Sequence, residues 1–184
     1  TIIIGYDHRF GRERSGDYKL MEDKAPVYNY RLMEIPEHLL DAVKVSSSNI
    51  RQAILHSQVE EANKLLGYPF FFEGVVVHGD KIGRTIGYPT ANLKSTDEEK
   101  IVLGDGIYAV YTEVEGTRYK AMMSIGFRPT VNGKKRVVEV NLFNFEKDIY
   151  GQVIRVIVIK HLRSEVKFNG LEELKQALHK DKEN

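Results

Sequence analysis

The side chains best suited to chemistry lie in one stretch, Gly79-Asp80-Lys81-Ile82-Gly83-Arg84-Thr85-Ile86-Gly87-Tyr88-Pro89-Thr90-Ala91-Asn92. Glycines let a backbone approach a ligand closely, and successive N–H groups in such a loop cradle an anion. Lys81 and Arg84 place positive charge where a polyphosphate would lie, and Pro89 stiffens the chain just before Thr90. In an extended segment Thr90 and Asn92 point to one face. A hydroxyl and an amide oxygen there suit Mg²⁺ held mainly by phosphates and water. The stretch is neither a Walker A loop nor a G-x-G-x-x-G helix opening. On glycine content alone an ordinary hairpin of a β protein is the commoner explanation.

A second chemical candidate is Glu139 in Val137-Val138-Glu139-Val140-Asn141-Leu142-Phe143. The two-residue strand period turns Val138, Val140 and Leu142 one way, and Glu139 and Asn141 the other. A carboxylate in the middle of such a strand marks either a solvated face or a site, and the pattern does not choose between them. A third candidate is Val45-Ser46-Ser47-Ser48-Asn49-Ile50-Arg51, a serine cluster at a helix start with Arg51 in the first turn, beside backbone donors that favour anions. Most serine-rich starts of this kind are only caps. The glycine- and arginine-rich loop from Gly5 to Gly16 is, by physics alone, a polar surface loop.

These candidates need elements to hold them. Gly74–His78, Gly106–Val114, Arg118–Ile125, Val137–Phe143 and Gln152–Lys160 read as strands, punctuated by Glu115-Gly116, Asn132-Gly133 and Tyr150-Gly151. Asn-Gly is a strong hairpin signal. Five or six strands so closely spaced predict a small antiparallel barrel or sandwich. A helix is expected from Asn169 to Leu178, with Leu171, Leu174 and Leu178 on one face against the sheet. Ahead of the strands, Ser57-Gln58-Val59-Glu60 has capping-box spacing. Val59, Ala62, Leu65 and Leu66 form an apolar stripe, and Gly67 closes that helix. Pro69 and three phenylalanines then make a joint between two domains.

Composition narrows the classes. With 42% hydrophobic residues the chain can bury a sizeable core. A net charge of +1, from 27 basic and 26 acidic residues, disfavours a general nucleic-acid binder. The absence of cysteine excludes disulfides, thiol catalysis and zinc–thiolate sites. No apolar run approaches the roughly 20 residues of a membrane-spanning helix. The six histidines are scattered without His-x-x-x-His spacing, so none is assigned to a metal. Thr1-Ile2-Ile3-Ile4-Gly5 already reads as a buried-type strand. This leads us to expect a piece excised from a longer protein, with the strand's sheet neighbours in the missing part.

The run Gly-Arg-Thr-Ile-Gly-Tyr-Pro-Thr-Ala-Asn-Leu, residues 83–93, closely resembles the nucleotide-binding signature of riboflavin kinase, the C-terminal module of bacterial bifunctional riboflavin kinase/FAD synthetases. The resemblance extends over nearly all of residues 68–184. It implies the phosphorylation of riboflavin by ATP at the ribityl 5′-hydroxyl, giving FMN. It makes Glu139 the catalytic base. It gives ATP to Gly79, Lys81, Gly83, Arg84, Gly87, Thr90 and Asn92, with Mg²⁺ on Thr90 and Asn92. It gives the flavin to Asn141, Tyr150, Arg163 and Phe168. Ile125-Gly126-Phe127-Arg128-Pro129-Thr130 also matches the family and is given only a loop-shaping role.

Residues 1–67 contain Gly-Tyr-Asp-His-Arg-Phe-Gly and Ser-Ser-Ser-Asn-Ile-Arg, which resemble the last third of the FMN adenylyltransferase domain of the same bifunctional family. Ser47, Ser48 and Arg51 are the corresponding remnant nucleotide site. The His-x-Gly-His-type motif on which adenylyl transfer relies in that family is not in the sequence, so FAD synthesis is not expected of these residues alone. The expected fold is α+β: a six-stranded antiparallel Greek-key barrel with a C-terminal helix at 68–184, preceded by a Rossmann-like remnant at 1–67. Expected partners are riboflavin and ATP, with no nucleic acid and no membrane. A homodimer through the unpaired N-terminal strand is also expected, in the cytoplasm that the resemblance implies. Two other classes fit the residues: a flavin-binding module without catalysis, and a small barrel for single-stranded nucleic acid.

Overall fold

The computed structural model describes all residues except 6, 36–38, 41–42, 80–81, 98, 131–132, 169 and 184. The chain divides into two compact units, Thr1–Ser46 and Ser47–Asn184.

The first unit opens with strand β1 (Ile2–Gly5), a short 3₁₀ turn (Arg12–Arg14), helix α1 (Tyr18–Tyr28) and strand β2 (Leu32–Ile35), followed by the two-residue strands β3 (Leu39–Leu40) and β4 (Val43–Lys44). β1 and β2 pair in parallel, Ile2 opposite Leu32 through Gly5 opposite Ile35. A parallel pair needs a crossover, and α1 supplies it. The strand whose neighbours were expected outside the chain thus has one inside it. Asp17 caps α1: its Oδ1 accepts the Leu20 N–H at 3.0 Å, while Arg9 donates to Oδ2 at 2.9 Å. That backbone hydrogen bond, with the charge of Arg9 adding to it, holds the Asp17 carboxyl below its ordinary range.

The second unit begins with helices α2 (Ser47–Leu55) and α3 (Val59–Leu66). Six strands and two further helices follow: β5 (Phe71–Val77), the one-turn α4 (Ile82–Thr85), β6 (Ala91–Ser95), β7 (Gly106–Val114), β8 (Thr117–Thr130), β9 (Gly133–Leu142), β10 (Val153–Arg163) and α5 (Leu171–Glu183). The strands close into an antiparallel barrel in the order β10-β5-β6-β9-β8-β7. Strands β7, β8 and β9 run as a meander, and β10 returns beside β7, which is the Greek-key arrangement. Alternation fills the interior: Val76, Val110, Met123, Val140, Ile154, Val156 and Val158 are buried.

Strand limits differ from the sequence reading at one informative place. β6 was not among the expected strands, because Ala-Asn-Leu-Lys-Ser carries little β propensity. It forms because its backbone pairs on both sides, with β5 and with β9. The Asn132-Gly133 turn signal falls partly outside the described residues, though β8 and β9 pair as far as Thr130 opposite Gly133.

Helices α2 and α3, which precede the joint expected at Tyr68–Glu73, lie in the second compact unit. α3 has to cover its apolar stripe, and Val59, Ala62, Ala53 and Ile54 join the same core cluster as the barrel's Tyr108, Val156 and Val158. Asn63 fastens the junction. Its Nδ2 donates to the Val158 carbonyl at 3.0 Å, and its Oδ1 accepts the Phe70 N–H at 2.7 Å. Gly67 ends α3 in the left-handed region at φ 77°, as expected of a closing glycine.

The capping box at Ser57 does not form; no side chain caps α3. The Ser57 hydroxyl bonds instead to Tyr108 Oη at 2.8 Å, and Tyr108 donates to the Gly104 carbonyl at 2.5 Å. With the phenol's own O–H given to Gly104, the Ser57 hydroxyl donates to the buried Tyr108 oxygen in preference to capping an exposed helix end. Burial raises the Tyr108 pKa above 10.0, outweighing the Ser57 hydrogen bond that works the other way. A raised folded-state pKa gives a contribution fully present below pH 10.0 and lost as pH climbs through the folded value. Urea midpoints measured between pH 8 and 11 should therefore fall above about pH 10 in the parent, and Tyr108→Phe should flatten that limb.

Candidate functional site

The register of β6 against β9 builds the centre of the site. Ala91 faces Val140, Asn92 faces Glu139 and Leu93 faces Val138. Val140 is fully buried in the barrel, so the intervening Glu139 points to the outer face. There the Thr90 hydroxyl donates to Glu139 Oε1 at 3.4 Å. The conditional reading of Thr90 and Asn92 as neighbours on one extended face is thus met by β6 and the residue leading into it. The amide of Asn92 lies against the backbone of Gly79: a Cβ at position 79 would sit 2.2 Å from its Nδ2. Glycine is needed at 79 for this close approach, not for a special φ angle.

The glycine-rich stretch itself is a turn of α-helix followed by a tight reversal. Tyr88 donates its N–H to the Gly83 carbonyl at 2.8 Å, and Gly87 turns the chain at φ 83°. Arg84 lies in α4 and lines a cavity of about 340 Å³. Thr90 lines the same cavity, with Val76, Ala91, Leu142, Ile149 and Tyr150 as its apolar walls. Lys81 lies outside the described residues. A second cavity, about 570 Å³, opens between Thr85–Pro89, residues 141–146 and Lys175 and Lys182 of α5.

The flavin candidates divide. Asn141 is buried, and its Nδ2 donates to the Pro89 carbonyl at 2.6 Å, tying the reversal down onto β9. Tyr150 packs against His78 with tilted rings, centroids 4.0 Å apart, and opens onto the cavity shared by Arg84 and Thr90. Arg163 is engaged by α5. Its Nε and Nη2 reach Asp181 at 2.9 and 2.7 Å, and Asp181 is only 5% exposed. The Arg163 guanidinium also lies 5.6 Å from the Phe168 ring. α5 is therefore docked by a two-pronged ion pair as well as by apolar contact. The expected leucine face is incomplete, for Leu171 is 57% exposed while Leu174 and Leu178 are half-buried. Ser47, Ser48 and Arg51 are exposed on the first turns of α2.

Arg128, to which the sequence reading gave only a loop-shaping role, sits against Glu139, and Glu165 sits against Arg128. Arg128 Nη2 donates to Glu139 Oε2 at 3.0 Å, and its Nη1 donates to Glu165 Oε1 at 2.6 Å. Burial works against the Arg128 cation. The hydrogen bond to Glu165 and the charge of Glu139 outweigh it, raising the Arg128 pKa, so this cation is permanent. The signal was present in Gly126-Phe127-Arg128, but nothing in the spacing said that Arg128 would meet a glutamate eleven residues on. Among the described residues no cluster of three or more His, Cys, Asp or Glu side chains could hold a metal, and no helix is long and apolar enough to cross a membrane.

Residues 66–184 match the family model for flavokinase, riboflavin kinase. The chain belongs to the riboflavin kinase family. It is 42% identical over 185 residues to the bifunctional riboflavin kinase/FMN adenylyltransferase of Bacillus subtilis, covering 98% of this chain and 58% of that one. The Escherichia coli protein of the same name is 38% identical over 183 residues, with 98% and 57% covered. A crystal structure described as a macrolide-efflux protein from Streptococcus pneumoniae superposes with a TM-score of 0.88 at 38% identity, covering 98% of this chain and 59% of that one. The chain thus spans a little over half the length of the curated relatives it matches. The six-stranded antiparallel barrel with its C-terminal helix is the riboflavin kinase module, and Glu139, Thr90 and Asn92 lie on its β6–β9 edge.

Asp181→Asn should leave the partly exposed Arg163 cation without its counter-charge. Loss of one partner from such a hydrogen-bonded pair costs about 1–3 kcal/mol. Hydrogen exchange should show the amides of α5 losing protection while those of β7 and β8 keep theirs.

Proposed function

We propose that Glu139 is the general base of riboflavin phosphorylation in this module, and that Thr90 and Asn92 organise the phosphates beside it. One observation carries the reading: pairing of β6 with β9 sets Asn92 opposite Glu139 and brings the Thr90 hydroxyl within 3.4 Å of its carboxylate. Glu139 Oε1 accepts the proton of the ribityl 5′-hydroxyl as that oxygen attacks the γ-phosphorus of ATP. The γ-phosphoryl group passes to riboflavin, and ADP leaves. Phosphoryl transfer asks mainly for positioning and charge neutralisation, so a small constellation suffices.

Arg84, in the shared cavity with Thr90, supplies a cation toward the phosphates, and the family resemblance adds Gly79, Lys81, Gly83 and Gly87 to the ATP side. The apolar walls of that cavity, with Tyr150, suit a flat ring next to the phosphates. This puts Tyr150 on the nucleotide's side of the site. The flavin then takes the side of Glu139 toward residues 163–168, where Phe168 offers a ring face. The donor set fits Mg²⁺, because a hydroxyl and an amide oxygen are hard ligands that leave most positions to phosphate and water. When bound with ATP, Mg²⁺ neutralises phosphate charge, and Thr90 and Asn92 would hold it. We assign the module to the cytoplasm, the compartment that the family resemblance implies.

An assay coupling ADP release to riboflavin tests this. Glu139→Gln should lower turnover by about 10²–10⁴ with little change in ligand binding, whereas Asn92→Ala should weaken Mg-ATP far more than riboflavin. Near-normal turnover in Glu139→Gln would remove the base assignment.

We further propose that residues 1–67 belong to the FMN adenylyltransferase part of a longer bifunctional protein. The curated relatives carry both activities in their names, and the β1–α1–β2 crossover is an α/β element. The 184 residues alone should convert riboflavin to FMN and make no FAD from FMN and ATP; a chromatographic FAD peak above a no-enzyme control would contradict this.

A further inference from the structure

The Gly126-Phe127-Arg128 segment of β8 bears on the site in a way that loop shaping does not explain. In the β8–β9 register Ser124 faces Glu139, Gly126 faces Val137 and Arg128 faces Lys135. Alternation puts Ser124, Gly126 and Arg128 on the same outer face as Glu139. To reach Glu139, the Arg128 side chain has to run back along its own strand, past position 126. Gly126 presents no side chain there. The carboxylate of Glu165 occupies the space: a Cβ on Gly126 would lie 2.0 Å from Glu165 Oε2. Glu165 comes from the segment between β10 and α5, so three parts of the chain meet at one guanidinium.

The two carboxylates use different nitrogens of Arg128, Nη2 for Glu139 and Nη1 for Glu165. On Glu139 the division is equally clear. Oε2 is held by Arg128, and Oε1 is the oxygen turned toward Thr90. A free glutamate on a strand samples several rotamers, and a carboxylate clamped through one oxygen does not. Glu139 is about a quarter exposed, so solvent alone would not hold it.

We propose that Arg128, seated by Glu165 in the space that Gly126 leaves, is a positioning residue for Glu139: it fixes Oε2 so that Oε1 faces the acceptor hydroxyl beside Thr90. This rests on the reading of Glu139 as the base. Arg128 touches neither substrate in this role; Glu165 acts one contact further out, through Arg128. A lysine at 128 can meet one carboxylate but cannot bridge both as the planar fork does.

Steady-state kinetics of ADP release, with riboflavin and ATP each varied, test the arrangement. Arg128→Met should lower kcat about 10–100-fold, the scale of a misplaced reacting group, with both KM values within about threefold of the parent. Arg128→Lys should recover part of that loss. Glu165→Gln and Gly126→Ala should each lower kcat several-fold and to a similar degree, because both unseat the same contact. Combining Glu165→Gln with Arg128→Met should be no worse than Arg128→Met alone, the coupling expected when one residue acts through the other. Unchanged kcat in Arg128→Met, a loss confined to KM, or a double variant whose loss is the product of the single losses would each overturn the proposal. If Arg128→Met does not fold, Glu165→Gln decides by itself, with parental kcat counting against. Glu139→Gln and the parent run alongside separate the levels. A parent that releases no ADP with riboflavin, or an active Glu139→Gln, removes the reading of the base and this proposal with it. A normal parent, an inactive Glu139→Gln and an unimpaired Arg128→Met remove this proposal only.

Discussion

Everything at the site hangs on one short stretch of antiparallel pairing, Ala91–Leu93 of β6 against residues 138–140 of β9. It closes the barrel on that side, and it sets which residue stands opposite Glu139. A slip of one residue would turn Glu139 into the barrel and Val140 out of it, since side chains alternate with a period of two. The core resists such a slip. Val140 is completely buried among Val76, Met123 and Val156, and a carboxylate in its place would be desolvated without a partner. Hydrophobic packing inside the barrel thereby controls polar geometry outside it.

The polar side is held by hydrogen bonds that each serve two purposes. Asn141 uses its amide on the Pro89 carbonyl, which steadies the reversal leading into Thr90 while leaving no bare donor in a buried place. Glycine at 79 lets the Asn92 amide lie against the backbone. Arg128 joins two carboxylates that would repel each other without it. A permanently charged guanidinium suits that position better than an ammonium, because its planar fork serves both partners at once.

The helices answer a different need. α3 and α2 add apolar residues to the core cluster that holds Tyr108 and Val158, and Asn63 satisfies backbone groups at that seam. At the other end α5 is docked through Asp181 and Arg163. The family resemblance gave Arg163 to the flavin; in the structure its guanidinium meets Asp181 and lies against the Phe168 ring. The segment between β10 and α5 is thus connected to Glu139 through Arg128 and to the helix through Arg163.

Local pattern was enough for much of this. Alternating β-branched residues and Gly-containing turns marked five of the six barrel strands, the stripe Val59, Ala62 and Leu65 marked α3, and Gly67 marked its end, because each depends on neighbours close in the chain. The run from Gly83 to Leu93 and the Glu139 strand stood out as candidates through the family resemblance, since residue types alone left a plain hairpin and a solvated face open. Only the tertiary structure decided the rest, and each time the reason was a partner distant in sequence. β6 is a strand because two other strands pair with it. Ser57 bonds Tyr108, fifty-one residues away, in preference to capping α3. Arg163 belongs to Asp181, and Arg128 belongs to Glu139 and Glu165. Residue type and spacing determine which groups can carry charge, bend the backbone or fill a core. Which charged group meets which is set by barrel closure and by the rule that a half-buried charge must find a partner.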